Sequence, residues 1–204
     1  VGAADIQDEK GAMLEKRFPG KVVYAHCDGT KEADIEAAVK KAKTEFGGLD
    51  ILFNNAGISD RMSSITEITA EGWSWIFDIL VRGPALGMKH AAPLMLERGG
   101  GSIINTASIA GLQAGFGPIA YSTAKAGVIH MSRVAAAQLS PQKIRVNAIC
   151  PGLIATSIFG ASIGLPLEVA DQMAARVAEN ASKAQPVPKA GLPDDIAQAA
   201  LYLA

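Results

Sequence analysis

The sequence predicts a single α/β domain, a doubly wound parallel sheet flanked by helices. Three observations lead there. Short apolar runs take turns with longer stretches of helical periodicity. The runs are continuous rather than alternating, so they need cover on both faces, and polar residues gather where each run ends. With 204 residues, 49% hydrophobic and 19% charged, the chain has the balance of one domain with a full-sized core.

Taken in order, the first apolar run closes at Asp5, and "KVVYAHCD" (21 to 28) is rich in β-formers and reads as a strand. A helix should follow, with Thr30 as its cap. Ile35, Ala38, Val39, Ala42 and Phe46 recur at helical spacing until Gly47 and Gly48 stop it. "DILFNNAG" (50 to 57) is a short buried strand running into a loop. From Trp73 to Leu96 the pattern is helical, although Pro84 should bend or break it. "GSIINTAS" (101 to 108) is the next strand, residues 120 to 139 the next helix, and "IRVNAICPG" (144 to 152) a strand ended by Pro151 and Gly152. A last helix begins at Pro193 and Asp194. Ligands of such folds bind beyond the carboxyl ends of the strands. Here those ends are Asp5, Asp28, Asn54 with Asn55, residues 105 to 108 and residues 147 to 152.

Composition narrows the partner. Net charge is -1 and Lys and Arg are scattered singly, which argues against a nucleic-acid or membrane surface and for a small molecule. No apolar run approaches the roughly 18 residues of a membrane span, and "VGAADIQDEK" lacks the pattern of a signal peptide. Cys27 and Cys150 read as two reduced thiols, so a cytoplasmic protein is expected. His26, His90 and His130 do not cluster at metal-ligand spacing, and no metal is expected.

The chemistry is concentrated in "AYSTAKAG" (120 to 127). Tyr121 and Lys125 are one helical turn apart and meet on one face. A free phenol has a pKa near ~10. An ammonium about 4 Å away stabilises the phenolate by roughly 4 kcal/mol at an effective dielectric of about 20, enough to bring the phenol toward use as an acid or base. Small neighbours at 120, 122 to 124, 126 and 127 would let something flat approach. By itself the pair also reads as a surface i,i+4 contact. Ser108, thirteen positions earlier at a strand end, could aim its hydroxyl at the same spot.

Together with "NNAG" at 54 to 57 and "PG" at 151 and 152, this set resembles the short-chain dehydrogenase/reductase family, in the family's order and over essentially the whole chain. The resemblance implies a Rossmann-type fold and hydride transfer between a secondary alcohol or ketone and a nicotinamide dinucleotide. Tyr121 matches the catalytic acid/base, Lys125 the lysine that lowers its pKa and holds the nicotinamide ribose, and Ser108 the serine that hydrogen-bonds the substrate oxygen. Asn54, Ala56 and Gly57 match the loop beside the adenine ribose, although Asn and Gly populate ordinary turns as well. Asp28 resembles the acid near the adenine ring, with helix capping as its other reading. Pro151, Gly152 and Thr156 resemble the segment beside the nicotinamide. Asp5, with Ile6 after it, resembles the acid that binds both adenine-ribose hydroxyls, which favours NAD over NADP because a 2′-phosphate would meet like charge. An exposed acid near a helix start is its plain alternative.

Two departures stand out. The family's Gly-rich phosphate turn precedes the segment that begins this chain, and a final strand usually follows the last helix, so the sequence is expected to be part of a longer one. Leu80 stands where the family usually has an asparagine that supports a water chain to the lysine. It also falls on one helical stripe with Trp73, Ile76 and Phe77, as a core residue would.

Residues 157 to 190 match the family's substrate-covering segment. Ile158, Phe159, Ile163, Leu165 and Leu167 would form an apolar lid hinged at Gly160 and Gly164, with Phe116 on the other wall, which favours a hydrophobic or alicyclic substrate. The resemblance further implies a homotetramer. The rival reading is a non-catalytic relative that uses the fold as a ligand-binding or scaffold protein.

Overall fold

In the computed structural model, residues 1–60, 64–162, 164–184 and 187–204 are described. Strand and helix alternate as the sequence predicts: β1 (Gly2–Asp5), α1 (Asp8–Arg17), β2 (Val23–His26), α2 (Glu32–Phe46), β3 (Ile51–Asn54), α3 (Ala70–Phe77), α4 (Gly83–Glu97), β4 (Gly101–Thr106), α5 (Ile119–Leu139), β5 (Ile144–Ile149), α6 (Ile158–Ser162), α7 (Leu167–Ala184) and α8 (Pro193–Leu203). Every strand pairing is parallel.

The strands form two hydrogen-bonded parallel groups, β1 with β2 and β3 with β4 and β5, flanked by helices as expected. Helices join them. α2, lying along β1 and β2, packs on α4, which covers β3 to β5. Lys43 to Glu97 at 2.7 Å, and Lys89 and His90 to Glu32 at 2.6 and 3.0 Å, close the outer edge of that seam.

Two local readings change. Thr30 does not cap α2, because its hydroxyl donates backward to Asp28 Oδ1 at 2.7 Å and the N-cap position falls to Lys31. The segment around Pro84 stays helical throughout, and the disturbance is a π-helical turn at Asp78–Arg82, between α3 and α4 and just before the proline. α2 ends as predicted at Gly47, whose φ of 75° lies in the left-handed region that favours glycine.

Among the described residues three apolar clusters hold the layers, the smallest being Ala107, Val128 and Ile129 between the end of β4 and α5. Met88, Ala91, Met95, Ile103, Ile144 and Val146 fill the space between α4 and the β4–β5 pair, with Met131 and Leu139 of α5 packed against them. Ile76, Leu80, Ala120 and Ala124 pack α3 and the π-turn onto the start of α5. Leu80 is 1% exposed, so its reading as a core residue holds. Among the described residues no helix is long and apolar enough to cross a membrane.

Ile103→Ala should lower unfolding free energy by about 2–5 kcal/mol, because it opens a cavity at a fully buried site. Met13→Ala, at an exposed position on α1, should stay within about 0.5 kcal/mol. Urea midpoints of the two variants check the contrast.

Candidate active site

β4 ends at Thr106, and two residues later the chain turns at Ser108, which caps a single 3-10 turn at Ile109–Gly111 by accepting from the Ala110 amide at 3.1 Å. The Ala107 amide donates to the Ile149 carbonyl at 2.8 Å and the Ile109 amide to the Pro151 carbonyl at 3.0 Å, so the Ser108 turn is laced to the end of β5. Gly111 lets it settle on α5. A Cβ there would lie 2.6 Å from the backbone of Lys125 and Ala126.

Tyr121 stands in the first turn of α5, half-buried against Leu80, Ala120 and Ala124. Burial pushes its phenol above the usual value, and the facing Ser108 hydroxyl works in the opposite direction. Lys125, one turn on, is only 4% exposed. Its ammonium donates to the Thr106 carbonyl at 2.7 Å and stands 5.6 Å from the Tyr121 ring centroid. Loss of hydration brings its pKa down to about 8, with the neighbouring Cys150 acting the other way. The three groups therefore come together as predicted, but not with the expected electrostatics. In the free protein desolvation is the larger influence on the phenol, with the Ser108 hydroxyl opposing it.

The loop after β3 lies over the lysine. A Cβ at Gly57 would be 3.8 Å from Lys125 Nζ and 3.6 Å from a Leu80 methyl. Asn55, Ala56 and Gly57 are exposed. Asn54 behaves differently, since its amide turns inward and donates to Asn105 Oδ1 at 2.7 Å and to the Pro84 carbonyl at 3.3 Å. Any contact it offers a ligand is through its backbone.

Asp5 ends β1 with an exposed carboxylate. Oδ1 accepts from the Gln7 amide at 3.0 Å and from its side chain at 3.3 Å, and Ile6 between them is 60% exposed. Asp28 follows β2. Its carboxyl is held low by the Thr30 amide and hydroxyl and by Lys31, and the next residue brings the loop onto the π-turn: a Cβ at Gly83 would be 2.9 Å from the Gly29 carbonyl. Arg82 also donates to the Thr30 carbonyl at 3.0 Å.

On the other side, Pro151 is tied to the Ser108 turn while Gly152 is exposed. Gly152, Ile154, Gly191 and Asp195 line a cleft of about 420 Å³. Thr156 is half-buried, and Ile158 and Phe159 open α6 just beyond it. Phe116, 56% exposed, lies on the loop between Gly111 and α5. Ile163 lies outside the described residues. Among the described residues no three His, Cys, Asp or Glu side chains could hold a metal ion.

Sequence reasoning placed Asn105 at a polar strand end without giving it a role, and passed over Ser132. Both are buried polar residues joined by a hydrogen bond at 2.9 Å beneath the site. The available signal was an amide directly after the apolar pair Ile103 and Ile104 in the strand.

A nicotinamide dinucleotide fits this arrangement. The exposed Asp5 carboxylate, the glycine opening over Lys125 and the ammonium with donors to spare beyond Thr106 are suited to ribose hydroxyls.

The protein family described as Enoyl-(Acyl carrier protein) reductase matches residues 1–204. Momilactone A synthase of Oryza sativa subsp. japonica is 41% identical over 209 residues, spanning 100% of this chain and 73% of the relative. (+)-Borneol dehydrogenase 2 of Salvia officinalis is 40% identical over 161 residues, 78% of this chain and 57% of the relative. The crystal structure of a short-chain type dehydrogenase/reductase from Mycobacterium marinum superposes with a TM-score of 0.84 at 29% identity, covering 100% of this chain and 78% of that one.

A lysine whose folded pKa lies below its unfolded value binds fewer protons in the folded state between the two. Burial of Lys125 therefore opposes folding most below about pH 8, and the penalty is relieved as pH rises from there toward 10.5. Relative to Lys125→Met, the wild-type chain should gain stability across that window. Denaturant midpoints of both proteins between pH 7 and pH 10 should show the difference, and parallel curves would contradict it.

Proposed function

The chain belongs to the short-chain dehydrogenase/reductase family, and we propose that it interconverts a secondary alcohol and a ketone through Ser108, Tyr121 and Lys125 with a nicotinamide dinucleotide. The observation that carries this reading is one piece of geometry: a half-buried phenol facing a serine hydroxyl, one helical turn from a nearly buried ammonium.

When bound, the dinucleotide supplies the hydride acceptor or donor and, in its oxidised form, a positive charge. The protein's own groups handle the oxygen. In ketone reduction the Tyr121 hydroxyl donates its proton to the carbonyl oxygen while the Ser108 hydroxyl hydrogen-bonds that oxygen as negative charge develops. In alcohol oxidation the Tyr121 phenolate takes the hydroxyl proton. Since burial keeps the phenol protonated in the free protein, the base form needs added cationic charge near it. Lys125, anchored on Thr106, holds a ribose hydroxyl and keeps positive charge within reach.

We assign Asp5, Ile6, Asp28, Asn54, Ala56, Gly57, Pro151, Gly152 and Thr156 to the dinucleotide, with Tyr121 and Lys125 at its nicotinamide end. The exposed Asp5 carboxylate supports NAD over NADP, because a 2′-phosphate there would face like charge. For the substrate we propose a hydrophobic or alicyclic alcohol held between Phe116 and a covering segment at residues 157 to 190. The apolar side chains of Ile158 and Phe159 at its start support this, as does similarity to a dehydrogenase named for borneol. A cytoplasmic homotetramer completes the proposal. Leu96 of α4 and Val134 of α5, 51% and 43% exposed, offer apolar surface for a partner.

Tyr121→Phe should reduce alcohol oxidation by about 10²- to 10⁴-fold while circular dichroism and melting temperature persist. An active, folded Tyr121→Phe protein would remove the assigned mechanism. Fluorescence titration with NADH and NADPH should show tighter NADH binding in the wild type, with the preference narrowed at least about tenfold in Asp5→Ser. An unchanged ratio would take Asp5 out of cofactor selection.

A further inference from the structure

We propose that Asn105 and Ser132 are positioning residues. With the Thr106 carbonyl they clamp α5 to β4 at two points, and the clamp fixes where Lys125 and Tyr121 stand over the loop after β3.

Asn105 is fully buried, in the middle strand of its sheet. A buried amide is costly unless its groups are paired, and an aliphatic residue like its neighbours Ile103 and Ile104 would fill the volume without that demand. Each of its polar atoms has a partner on a different element. Oδ1 accepts from Asn54 Nδ2 of β3 at 2.7 Å, and Nδ2 donates to Ser132 Oγ of α5 at 2.9 Å, with Met88 Sδ of α4 at 3.7 Å.

The chain of bonds has one direction. Ser132 gives its only proton to the Val128 carbonyl at 2.7 Å, so toward Asn105 it can only accept. Asn105 must then present its NH₂ to α5 and its carbonyl to β3, where the Asn54 amide donates and also reaches the Pro84 carbonyl at 3.3 Å. Oriented amides of this kind specify one arrangement of β3, β4, α4 and α5, which apolar contacts alone do not.

The second point of the clamp is the very next residue, Thr106, whose carbonyl accepts from Lys125 at 2.7 Å. Its hydroxyl donates to Asn55 Oδ1 at 2.9 Å, on the loop itself. Lys125 and Ser132 lie on α5 two turns apart, about 10 Å along the axis and on the same face. One attachment would leave the helix free to pivot, whereas two fix both its slide and its rotation. Tyr121, one turn before Lys125, is carried with them.

The catalytic part of this inference rests on the dehydrogenase reading, so its test includes a readout that does not. In protein labelled with ¹⁵N-lysine, the Lys125 amine is followed by NMR against pH, assigned with Lys125→Arg, in the wild type, Ser132→Ala, Asn105→Leu and Ser132→Thr. NADH affinity and turnover of cyclohexanol with NAD are measured alongside. In Ser132→Ala and Asn105→Leu the Lys125 midpoint should move by at least about half a pH unit. Turnover should fall about tenfold at unchanged cyclohexanol KM, because the reacting groups are misplaced rather than removed. Ser132→Thr keeps the hydroxyl and should restore the wild-type Lys125 titration. Variants that melt lower but keep the wild-type Lys125 midpoint would show a purely structural role and overturn the proposal. Should Asn105→Leu not fold, Ser132→Ala decides alone. A wild type that binds neither NADH nor NADPH would refute the dehydrogenase reading, while the Lys125 titration still decides the clamp.

Discussion

Much of the structure around the site depends on one hydrogen bond, from the Lys125 ammonium to the Thr106 carbonyl at 2.7 Å. A cation that is 4% exposed is tolerated only where hydration is replaced by fixed dipoles, and the end of a parallel strand offers a backbone carbonyl free of the ladder. For the ammonium to reach it, α5 must lie close. That closeness explains the small residues around the contact: Ala120 and Ala124 are buried on the facing stripe, and Gly111 sits where any side chain would strike the helix backbone. The Ser108 turn is pressed onto α5 by the same approach, so serine, tyrosine and lysine are set by one packing event.

The bond also governs the electrostatics. Held by that carbonyl, the ammonium stands 5.6 Å from the Tyr121 ring centroid. In the free protein desolvation dominates both groups, raising Tyr121 and lowering Lys125. Leu80 reinforces this. It is carried inward by the π-turn and places a methyl beside Gly57, against which Lys125 also stands, so that side of the site is apolar. A water chain supported by an asparagine side chain at this position is ruled out by the residue itself.

Strand and helix alternation was legible because its signals are local: continuous apolar runs, a helical period, and glycine at helix ends. Ser108, Tyr121 and Lys125 stood out through the resemblance of their order and spacing to a family, since the i,i+4 pair alone also reads as a surface contact. What the sequence could not show depends on which neighbour a group chooses. Thr30 has a capping hydroxyl, but Asp28 two residues earlier takes its proton. Asn54 belongs to a recognisable loop, yet its amide faces Asn105, fifty-one positions on. Asn105 and Ser132 are unremarkable in sequence, and only the register of Asn54 against Asn105 in the β3–β4 ladder brings the network into being.

In the proposed mechanism the Tyr121 phenol, made less acidic by burial, acts as a base only when cationic charge is added to the site. Ultraviolet difference titration of the phenolate, with Tyr121→Phe subtracted, in free protein and at saturating NAD, tests this. The Tyr121 midpoint should lie above the ordinary phenol value of about 10 in the free protein and well below it with NAD bound. A midpoint below about 10 in the free protein, or one that NAD leaves in place, would contradict it.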